Sequence, residues 1–302
     1  MKTIINEPLV SVGFTTKDRA NLLSAALESL LSQTYKNIEF IVSDNASSDN
    51  TENVIHAYAA KDSRIRYMRQ SVDIGGLENM AFTLQEARGE YFMWAADDDW
   101  WDPRFVESLV SALEKNPDYG VAMSHYYDKK IVDGRDIDGK LRAHDYTNMS
   151  HSDLYKLYIG RRKSFLGLVS GPQPPPIFIG GLYRTNLRKK MSIPLCYNGI
   201  YIFLSEAALA TRFYSVPDAL FIKFSDPRPH KERHANHSYQ RVHEQPFAVT
   251  RYAIILVSHL LFSKAIPLHR KVLIFRPWIE RVWRYKRAIA YELIKRNAWT
   301  GL

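Results

Sequence analysis

The sequence predicts an α/β fold in which a mostly parallel sheet carries helices on both faces. In the first half of the chain, short apolar runs alternate with segments whose apolar residues recur at helical spacing. The apolar runs are continuous, which is typical of strands that are covered on both faces. Alternating strands and helices of this kind form parallel sheets, and such sheets bind ligands beyond the carboxyl ends of their strands.

Five strands and four helices are expected in this half. The strands cover residues 9–16, 38–43, 65–68, 91–96 and 121–127. The helices cover residues 22–31, the segment after Asp49, residues 77–88 and residues 103–116. Asp49 precedes Glu52 by three residues, a spacing typical of a capping box at the start of a helix.

The second half is less regular, and residues 133–170 are polar and weakly patterned. The later expected elements are a strand over 177–183, a helix over 201–210 and a strand over 213–224 with a turn at Pro217–Asp218. We therefore expect one domain over residues 1–225, made of the halves 1–130 and 131–225. An extension over residues 226–302 would follow, with a histidine-containing loop and basic helices.

Positive charge is concentrated at the end of the chain. The 302 residues carry a net charge of +9, and residues 264–302 hold +8 of it, with ten Lys and Arg against two Glu. The nearly neutral remainder does not indicate nucleic-acid binding, whereas the basic tail indicates an anionic surface. The tail helix from Pro277 has an apolar side, which suits either peripheral membrane contact or packing on the domain or on a second copy.

Cysteine content and hydropathy bound the cellular setting. The single cysteine, Cys196, excludes an internal disulfide and a Cys-based zinc site, and it fits a cytoplasmic protein. The most apolar run, over residues 252–266, is shorter than the roughly 20 residues that span a membrane. We expect a buried or interfacial helix there and no targeting or spanning segment.

Polar residues follow the predicted strands. The run Asp97–Asp99 comes directly after the fourth strand, where a divalent cation with oxygen ligands would relieve the repulsion between its carboxylates. Such a cation suits a diphosphate partner; the alternative is a solvated acidic turn that caps the next helix. Asp44, Asn45 and Ser47 follow the second strand, where they can meet a base or a ribose or form an Asx-rich loop.

Two segments carry a likeness to a known family. They read PLVSVGFTTKDRANLLSAALESLLSQTYKNIEFIVSDNASSDNT over 8–51 and DIGGLENMAFTLQEARGEYFMWAADDDWWDP over 73–103. In order and spacing they resemble glycosyltransferase family 2. The resemblance implies a GT-A fold with a Rossmann-like sheet, and an inverting transferase that uses a nucleotide-diphosphate sugar with Mn²⁺ or Mg²⁺.

The resemblance also implies residue roles. The residues expected to bind the nucleotide sugar, by resemblance or by their place at a strand end, are Thr15, Lys17, Arg19, Asp44, Asn45, Ser47, Asn79, Arg88, Asp97 and Asp98. Asp44 would contact the base, often uracil, and Asp98 would either face the sugar or support the loop. Asp97 and Asp99 match the family's DxD motif, which holds the metal and the diphosphate.

The family's general base is the main departure. Its acidic pair would fall near Gly199 and Ile200, and neither residue can accept a proton. Glu206 is the one acid on that predicted helix, and Glu206 and Asp98 are the expected catalytic candidates, with Asp226 and His230 after the last strand as alternatives for the base. A histidine after the last strand often completes the family's metal site. His230 and His234 are therefore expected metal ligands with Asp97 and Asp99, unless they lie in a flexible basic loop.

These features predict a cytoplasmic, metal-dependent inverting glycosyltransferase, located peripherally at the inner face of the membrane. It would transfer a sugar, with UDP as the expected nucleotide, to a glycan or lipid-linked acceptor hydroxyl in surface polysaccharide biosynthesis. The alternatives are a non-catalytic sugar-nucleotide-binding protein and a sugar-phosphate nucleotidyltransferase. The second would need a Gly-rich first loop, and residues 15–19 contain no glycine. A homo-oligomer is left open.

Overall fold

The computed structural model describes residues 7–132, 135–160, 177–194, 196, 199–225, 248–280, 283 and 286. These residues fall into two compact units. The first lies within residues 1–147, 177–189 and 213–233, and the second lies within residues 148–176, 190–212 and 234–302. The division does not follow the boundary expected at residue 225, because segments on both sides of that residue contribute to each unit.

Four parallel strands form one half of the sheet in the first unit. They are β1 (Val10–Thr16), β2 (Ile38–Asp44), β3 (Ile65–Arg69) and β4 (Tyr91–Ala96), in the order β3-β2-β1-β4. β1 pairs in parallel with β2 and β4, and β2 pairs in parallel with β3. Every residue of β2 is buried, so both faces of the sheet are covered there. The parallel sheet predicted from continuous apolar runs is confirmed in this half.

Four helices alternate with these strands. They are α1 (Leu23–Leu31), α2 (Thr51–Ala59), α3 (Gly76–Gln85) and α4 (Phe105–Lys115). α1 buries Leu23, Leu27 and Leu30, the three- and four-residue spacing from which the helix is predicted. The helices therefore lie where helical periodicity places them, with bounds that differ by one to three residues.

The capping box predicted at the start of α2 is not formed. Asp49 accepts a hydrogen bond from the Thr51 backbone N–H at 2.9 Å, so it caps the helix by a shorter contact. Glu52 does not return to the cap but lies 3.3 Å from Arg69 Nε on β3. The arginine provides a charged partner for Glu52 that the sequence spacing alone does not reveal.

The remaining strands make the sheet mixed. They are β5 (Trp100–Trp101), β6 (Tyr119–Val132), β7 (Arg135–Arg142), β8 (Leu182–Arg184) and β9 (Arg212–Ser225). They continue the order as β4-β8-β6-β9-β5, with β7 beside β6. β8 is antiparallel to β4 and β6, and β5 is antiparallel to β9. The predicted strand over 121–127 is therefore part of a longer, antiparallel strand.

Three features of the second half differ from the sequence-based expectation. The weakly patterned residues 133–170 include β7 and the helix α5 (His151–Gly160) in their described part. The strand expected over 177–183 is a 3₁₀ helix (Ile177–Gly180) followed by β8. The turn expected at Pro217–Asp218 is wrong, since β9 runs through it. The short β5 pairs only with Phe221 and Ile222, so the missing N–H of Pro217 breaks no bond to β5.

The second unit is helical in its described residues. It contains α5, α7 (Gly199–Ala210) and α8 (Ala248–Phe262), then a 3₁₀ helix (Leu268–Ile274) and a helical segment over 275–280. The short helix α6 (Thr185–Arg188) belongs to the first unit. The bounds of α7 confirm the predicted helix over 201–210, and almost all of this helix is buried. None of the helices in the described ranges is long and apolar enough to cross a membrane.

Close packing between β1 and α3 generates a prediction at Gly13. A Cβ atom at this position would lie 2.9 Å from Cζ of Phe92 and closer still to Oγ1 of Thr83. Gly13→Ala should lower the free energy of unfolding by about 1–3 kcal/mol, the usual cost of overpacking a core. Chemical denaturation would measure the change.

Gly76 provides a matched control, because a Cβ atom there would meet nothing within 4 Å. Gly76→Ala should be neutral or should raise the free energy of unfolding by up to about 1 kcal/mol, since alanine restricts the unfolded chain. Equal effects of the two substitutions would contradict the packing described here.

Candidate functional site

Three adjacent strands place polar residues side by side at the carboxyl edge of the parallel sheet. Thr16 is the register partner of Asp44 on β2, and Thr15 is the partner of Ala96 on β4. Asp97, the next residue, is therefore level with Thr16. Asp44 and Asp97 stand two strand spacings apart, roughly 10 Å. This edge is where parallel α/β sheets bind ligands.

Asp97 is a buried carboxylate at the end of β4, with 9% of its surface exposed. Its Oδ2 accepts a hydrogen bond from Thr16 Oγ1 at 2.7 Å, and its Oδ1 lies 3.9 Å from Arg19 Nε. Burial raises the pKa of Asp97 to about 6, although the Thr16 hydrogen bond lowers it. The predicted contact of the first strand end is thus made by Thr16, since strand alternation directs Thr15 to the other face.

Asp99 is buried as well, with 7% of its surface exposed. Its Oδ1 accepts a hydrogen bond from the Phe224 backbone N–H at 3.1 Å and lies 4.0 Å from Lys223 Nζ. Burial raises the pKa of Asp99 to about 7, although the charge of Lys223 lowers it. Asp98 between them is half-buried, and its charge raises the pKa of both neighbours. The run Asp97–Asp99 is therefore not a solvated turn.

Asp44 is fully buried at the end of β2 and is held from both sides. Its Oδ1 accepts hydrogen bonds from the N–H and the hydroxyl of Ser47, at 2.9 and 2.5 Å. Its Oδ2 accepts a hydrogen bond from the Tyr67 hydroxyl at 3.0 Å, and Arg69 Nε lies 3.6 Å away. By lone-pair count Oδ2 could accept one further N–H, but the carboxylate is 0% exposed, so a ligand would reach it only if the surrounding side chains moved.

Tyr67 and Arg69 were not among the residues expected from the sequence. Both lie on β3, where Arg69 is the register partner of Asp44. Because β3 is predicted as a strand of the same parallel sheet, the residues at its carboxyl end could have been assigned to the same edge from the sequence. The sequence does not show on which face of the sheet the side chains of Tyr67 and Arg69 lie.

The loops that follow β1 and β2 are tied together. Asp18 and Ala46 have left-handed backbone conformations, with φ of 52° and 59°, which turn both loops back across the strand ends. The Asp18 N–H donates to Ser47 Oγ at 2.9 Å, and Asp18 Oδ1 accepts from the Ser48 N–H at 2.7 Å. These bonds form a rigid rim beside Asp44.

Lys17 and Asn45 connect this rim to the loop before α3. Lys17 Nζ donates to the Asn45 carbonyl at 3.3 Å and lies 3.6 Å from Asp73 Oδ2. The Asn45 side chain donates to Asp73 Oδ1 at 2.7 Å and accepts from the Ile74 N–H at 2.9 Å. Asp73, one of the polar residues that the sequence places at a strand end without a role, holds Asn45 and pairs with the Lys17 ammonium group at this edge.

Asn79 and Arg88 do not have the positions expected of residues that bind a nucleotide sugar at the carboxyl edge. Asn79 is buried on α3, where it accepts a hydrogen bond from Ser43 Oγ at 2.6 Å and supports β2 from behind. The Arg88 backbone N–H donates to Glu39 Oε1 at 2.8 Å. Glu39 is the second residue of β2, so Arg88 lies at the amino edge, roughly 17 Å along the strand from Asp44. The expectation that Arg88 lines the pocket is wrong.

Glu206, the expected base, has an internal structural environment. It is 1% exposed on α7 in the second unit. Its two oxygens accept from Ser263 Oγ at 2.5 Å and lie 2.8 Å from His259 Nε2. A base must reach the proton it removes, and this carboxylate is enclosed by its own unit. The arrangement favours a structural role for Glu206.

A divalent cation fits the run Asp97–Asp99 by its chemistry. Two buried carboxylates with raised pKa values are in an environment that opposes their charge, and a hard cation with oxygen ligands offsets that cost. No three His, Cys, Asp or Glu side chains gather around one point in the described residues. Further ligands would have to come from a diphosphate or from water. Asp226, His230 and His234 lie outside the described residues.

Comparisons with known proteins show the family of this chain. The sequence model of glycosyl transferase family 2 matches residues 11–167, more than half of the chain. The glycosyltransferase RT0329 of Rickettsia typhi is 34% identical over 115 residues, which are 38% of this chain and 35% of that protein. The Escherichia coli UDP-Glc:alpha-D-GlcNAc-diphosphoundecaprenol beta-1,3-glucosyltransferase WfaP is 31% identical over 124 residues, 41% of this chain and 49% of WfaP. The matches thus span about a third to a half of these relatives.

Solved structures share the fold. TarS 1–349 of Staphylococcus aureus in complex with UDP-GlcNAc has a TM-score of 0.63 at 15% identity, covering 92% of this chain and 72% of TarS 1–349. The mannosyltransferase PcManGT of Pyrobaculum calidifontis, in complex with GDP-Man and Mn²⁺, has a TM-score of 0.52 at 17% identity, covering 98% and 81%. These likenesses establish the GT-A fold.

The raised pKa values of Asp97 and Asp99 generate a prediction about stability against pH. A carboxyl group whose pKa is higher in the folded state than in the unfolded state stabilises the fold most below about pH 4. That contribution disappears as pH rises through about 6 and 7. Wild type should therefore lose stability between pH 5 and pH 8, whereas Asp99→Asn lacks the ionisable group. With a chelator present, the free energy of unfolding of Asp99→Asn minus that of wild type should increase by about 1–3 kcal/mol over this range.

Asp102→Asn is the matched control, because the Arg104 hydrogen bond lowers the pKa of Asp102 and keeps it ionised over this range. Its difference from wild type should stay constant between pH 5 and pH 8. A flat difference for Asp99→Asn as well would show that Asp99 is not a protonated, buried group.

Proposed function

The chain belongs to glycosyl transferase family 2, and on that premise we propose that it transfers a sugar from a nucleotide-diphosphate donor to an acceptor hydroxyl. The observation that carries the proposal is the row Asp44, Thr16 and Asp97 along one sheet edge. In this row, Asp44 would bind the base and Asp97 would bind the diphosphate, and the two carboxylates are roughly 10 Å apart. The two sites suit the two ends of one donor molecule.

Asp44 would bind the nucleotide base. Ser47, Tyr67 and Arg69 hold its carboxylate in one orientation and leave one lone pair of Oδ2 for a ring N–H. A carboxylate acceptor suits the N3–H of uracil and equally the N1–H of guanine, so the choice of uracil rests on the complexes of TarS with UDP and UDP-GlcNAc. We therefore propose UDP as the nucleotide. Lys17 and Arg19 lie at the same edge, where they can meet phosphate oxygens.

Asp97 and Asp99 would hold Mn²⁺ or Mg²⁺ with the donor diphosphate, as the presence of Mn²⁺ and GDP-Man in PcManGT supports. When bound, such a cation offsets the negative charge that develops on the leaving diphosphate. Thr16 and the Phe224 N–H fix the two carboxylates in place before any donor arrives. Asp98, half-buried between them, is the carboxylate proposed to face the sugar.

Inversion requires a single displacement at the sugar, with a group that removes the acceptor proton. The positions near Gly199 and Ile200 cannot accept a proton, and Glu206 is enclosed by Ser263 and His259. Asp98 is therefore the described candidate that we retain for the base. The absent acid also favours a second candidate function, a protein that binds a sugar nucleotide and transfers nothing.

The acceptor is proposed to be a glycan or lipid-linked saccharide in surface polysaccharide biosynthesis. WfaP is by its name a transferase to a diphosphoundecaprenol-linked sugar, and it is 31% identical over the matched residues. Such an acceptor is membrane-bound, so the protein would act peripherally at the inner face of the membrane. These assignments rest on relatives of which the chain covers less than half.

Isothermal titration of UDP in the presence of Mn²⁺ tests the proposal. Asp97→Asn and Asp99→Asn should each weaken UDP binding about 100-fold, or about 2.7 kcal/mol, because each removes one of two carboxylates from the metal–diphosphate unit. Asp102→Asn, three residues further along and paired with Arg104, should bind UDP as wild type does.

Release of UDP from a panel of UDP-sugars, with and without glycan acceptors, then separates the two candidate functions. A transferase that uses Asp98 as base should keep donor binding and lose transfer in Asp98→Asn. Binding without transfer to any acceptor would favour the non-catalytic protein. Full UDP affinity in both Asp97→Asn and Asp99→Asn would remove the basis of the whole assignment.

A further inference from the structure

Large apolar side chains are exposed at the end of the second unit. Six of the eleven large hydrophobic residues that are exposed in the described part of the chain lie between residues 262 and 283. We refer to these six as the apolar face: Phe262, Leu268, Val272, Phe275, Ile279 and Trp283. Phe262 and Leu268 are each 83% exposed, and Trp283 is 68% exposed. Several large apolar side chains exposed within about 20 residues of sequence are more than isolated surface hydrophobic residues, and such groups mark interaction surfaces.

The apolar face is not needed to hold the last helix on its unit. A different side of this helix is buried: Ile274 is 0% exposed, Pro277 is buried, and Trp278 Nε1 donates to the Ala253 carbonyl at 3.3 Å. Phe275, Ile279 and Trp283 follow one another at intervals of four residues, which places them along one side of a helix. The helix thus has one apolar side packed inward and another that faces solvent.

The turn between Phe262 and Leu268 is held rigidly. Ser263 Oγ donates to the buried Glu206 and accepts from the N–H groups of Ala265 and Ile266, at 3.0 and 3.3 Å. Lys271 Nζ donates to the Leu261 carbonyl at the end of α8. Glu206 therefore fixes this turn. Phe262 and Leu268, the two most exposed apolar side chains, lie at the two ends of the turn.

Basic side chains accompany the apolar face. Lys264, Arg276 and Lys286 are exposed, and Lys286 Nζ lies 3.7 Å from the centre of the Trp283 ring. Residues 264–302 carry +8 of the chain's net charge of +9. Apolar and aromatic side chains flanked by Lys and Arg match a membrane interface, where the apolar groups enter the acyl boundary and the cations meet anionic head groups.

We infer that the apolar face and its basic neighbours dock the protein on an anionic lipid surface. The inference rests on the proposed function for its biological purpose, because a lipid-linked acceptor lies at such a surface, but the surface itself does not depend on sugar chemistry. A second copy of this chain would also cover the apolar face. It would bring two segments of charge +8 together, whereas anionic lipid complements that charge.

Sedimentation of the full chain with vesicles tests the inference. The protein should bind vesicles of phosphatidylcholine with 30% phosphatidylglycerol at least tenfold more strongly than vesicles of phosphatidylcholine alone, with binding that falls as salt rises. The triple variant Phe275→Ser, Ile279→Ser, Trp283→Ser should lose at least tenfold in binding to the anionic vesicles. Because these side chains are 46–68% exposed, its thermal unfolding should match that of wild type.

Matched controls separate the apolar face from exposed hydrophobic residues in general. Leu22 and Leu141 are each 48% exposed in the first unit, and the double variant Leu22→Ser, Leu141→Ser should bind vesicles as wild type does. A second variant, Lys264→Glu, Arg276→Glu, Lys286→Glu, should lose the preference for anionic vesicles. It keeps the apolar side chains, so it shows the contribution of charge independently of the first variant.

Three results would overturn the inference: equal binding to neutral and anionic vesicles, full binding by the triple serine variant, or a solution dimer that this variant converts to monomers. UDP binding measured on the same preparations distinguishes the two proposals. Vesicle binding without UDP binding would remove the proposed function and leave the docking surface. UDP binding without vesicle binding would remove the docking surface and leave the proposed function.

Discussion

The burial of two carboxylates at the end of one strand is the constraint on which the site depends. Asp97 and Asp99 are each less than 10% exposed, and burial raises the pKa of both toward neutrality. An arrangement that opposes charge is costly unless hydrogen bonds and a cation compensate. The first unit supplies part of this compensation through Thr16, Arg19, Lys223 and the Phe224 N–H, and a metal–diphosphate unit would supply the remainder.

The antiparallel half of the sheet holds Asp99 in place. β9 holds the short strand β5 through Phe221 and Ile222, and its next two residues contact Asp99. The loop with the acidic run is therefore clamped between a parallel strand on one side and an antiparallel strand on the other. At the opposite end of the edge, β3 clamps Asp44 in a similar way through Tyr67 and Arg69. Both carboxylate sites are thus preformed by strands that the ligand need not move.

The sequence predicts the parallel half well, because β1, β2 and β4 are strongly apolar and alternate with segments of helical period. β3 is short and only partly buried, and its position in this alternation is what indicates a strand. It also places Asp44, Asp97 and Asp99 at one edge, as the structure does, since strand ends in a parallel sheet share one edge. It does not predict β5 or β7, which are short or polar, and it merges β8 with the 3₁₀ helix that precedes it. Nor does it predict the contact between Phe224 and Asp99, 125 residues apart. Arg88 shows the reverse error: its place in a matching segment indicated the pocket, but its position before β4 puts it at the amino edge. Glu206 was selected as the acid of one helix, and the long-range contacts of Ser263 and His259 give it another role.

The most direct test of this account is the number of protons released when the donor and the cation bind together. Titration calorimetry of UDP-N-acetylglucosamine with Mn²⁺ at pH 6.5, in buffers with different ionisation enthalpies, measures that number. Burial raises the pKa values of Asp97 and Asp99 to about 6 and about 7, so both carboxyl groups are partly protonated at this pH, and the ligand must displace those protons. The account predicts a net release of protons on binding. Heats that are identical in all buffers would show that no buried carboxyl group gives up its proton to the metal–diphosphate unit, and would contradict it.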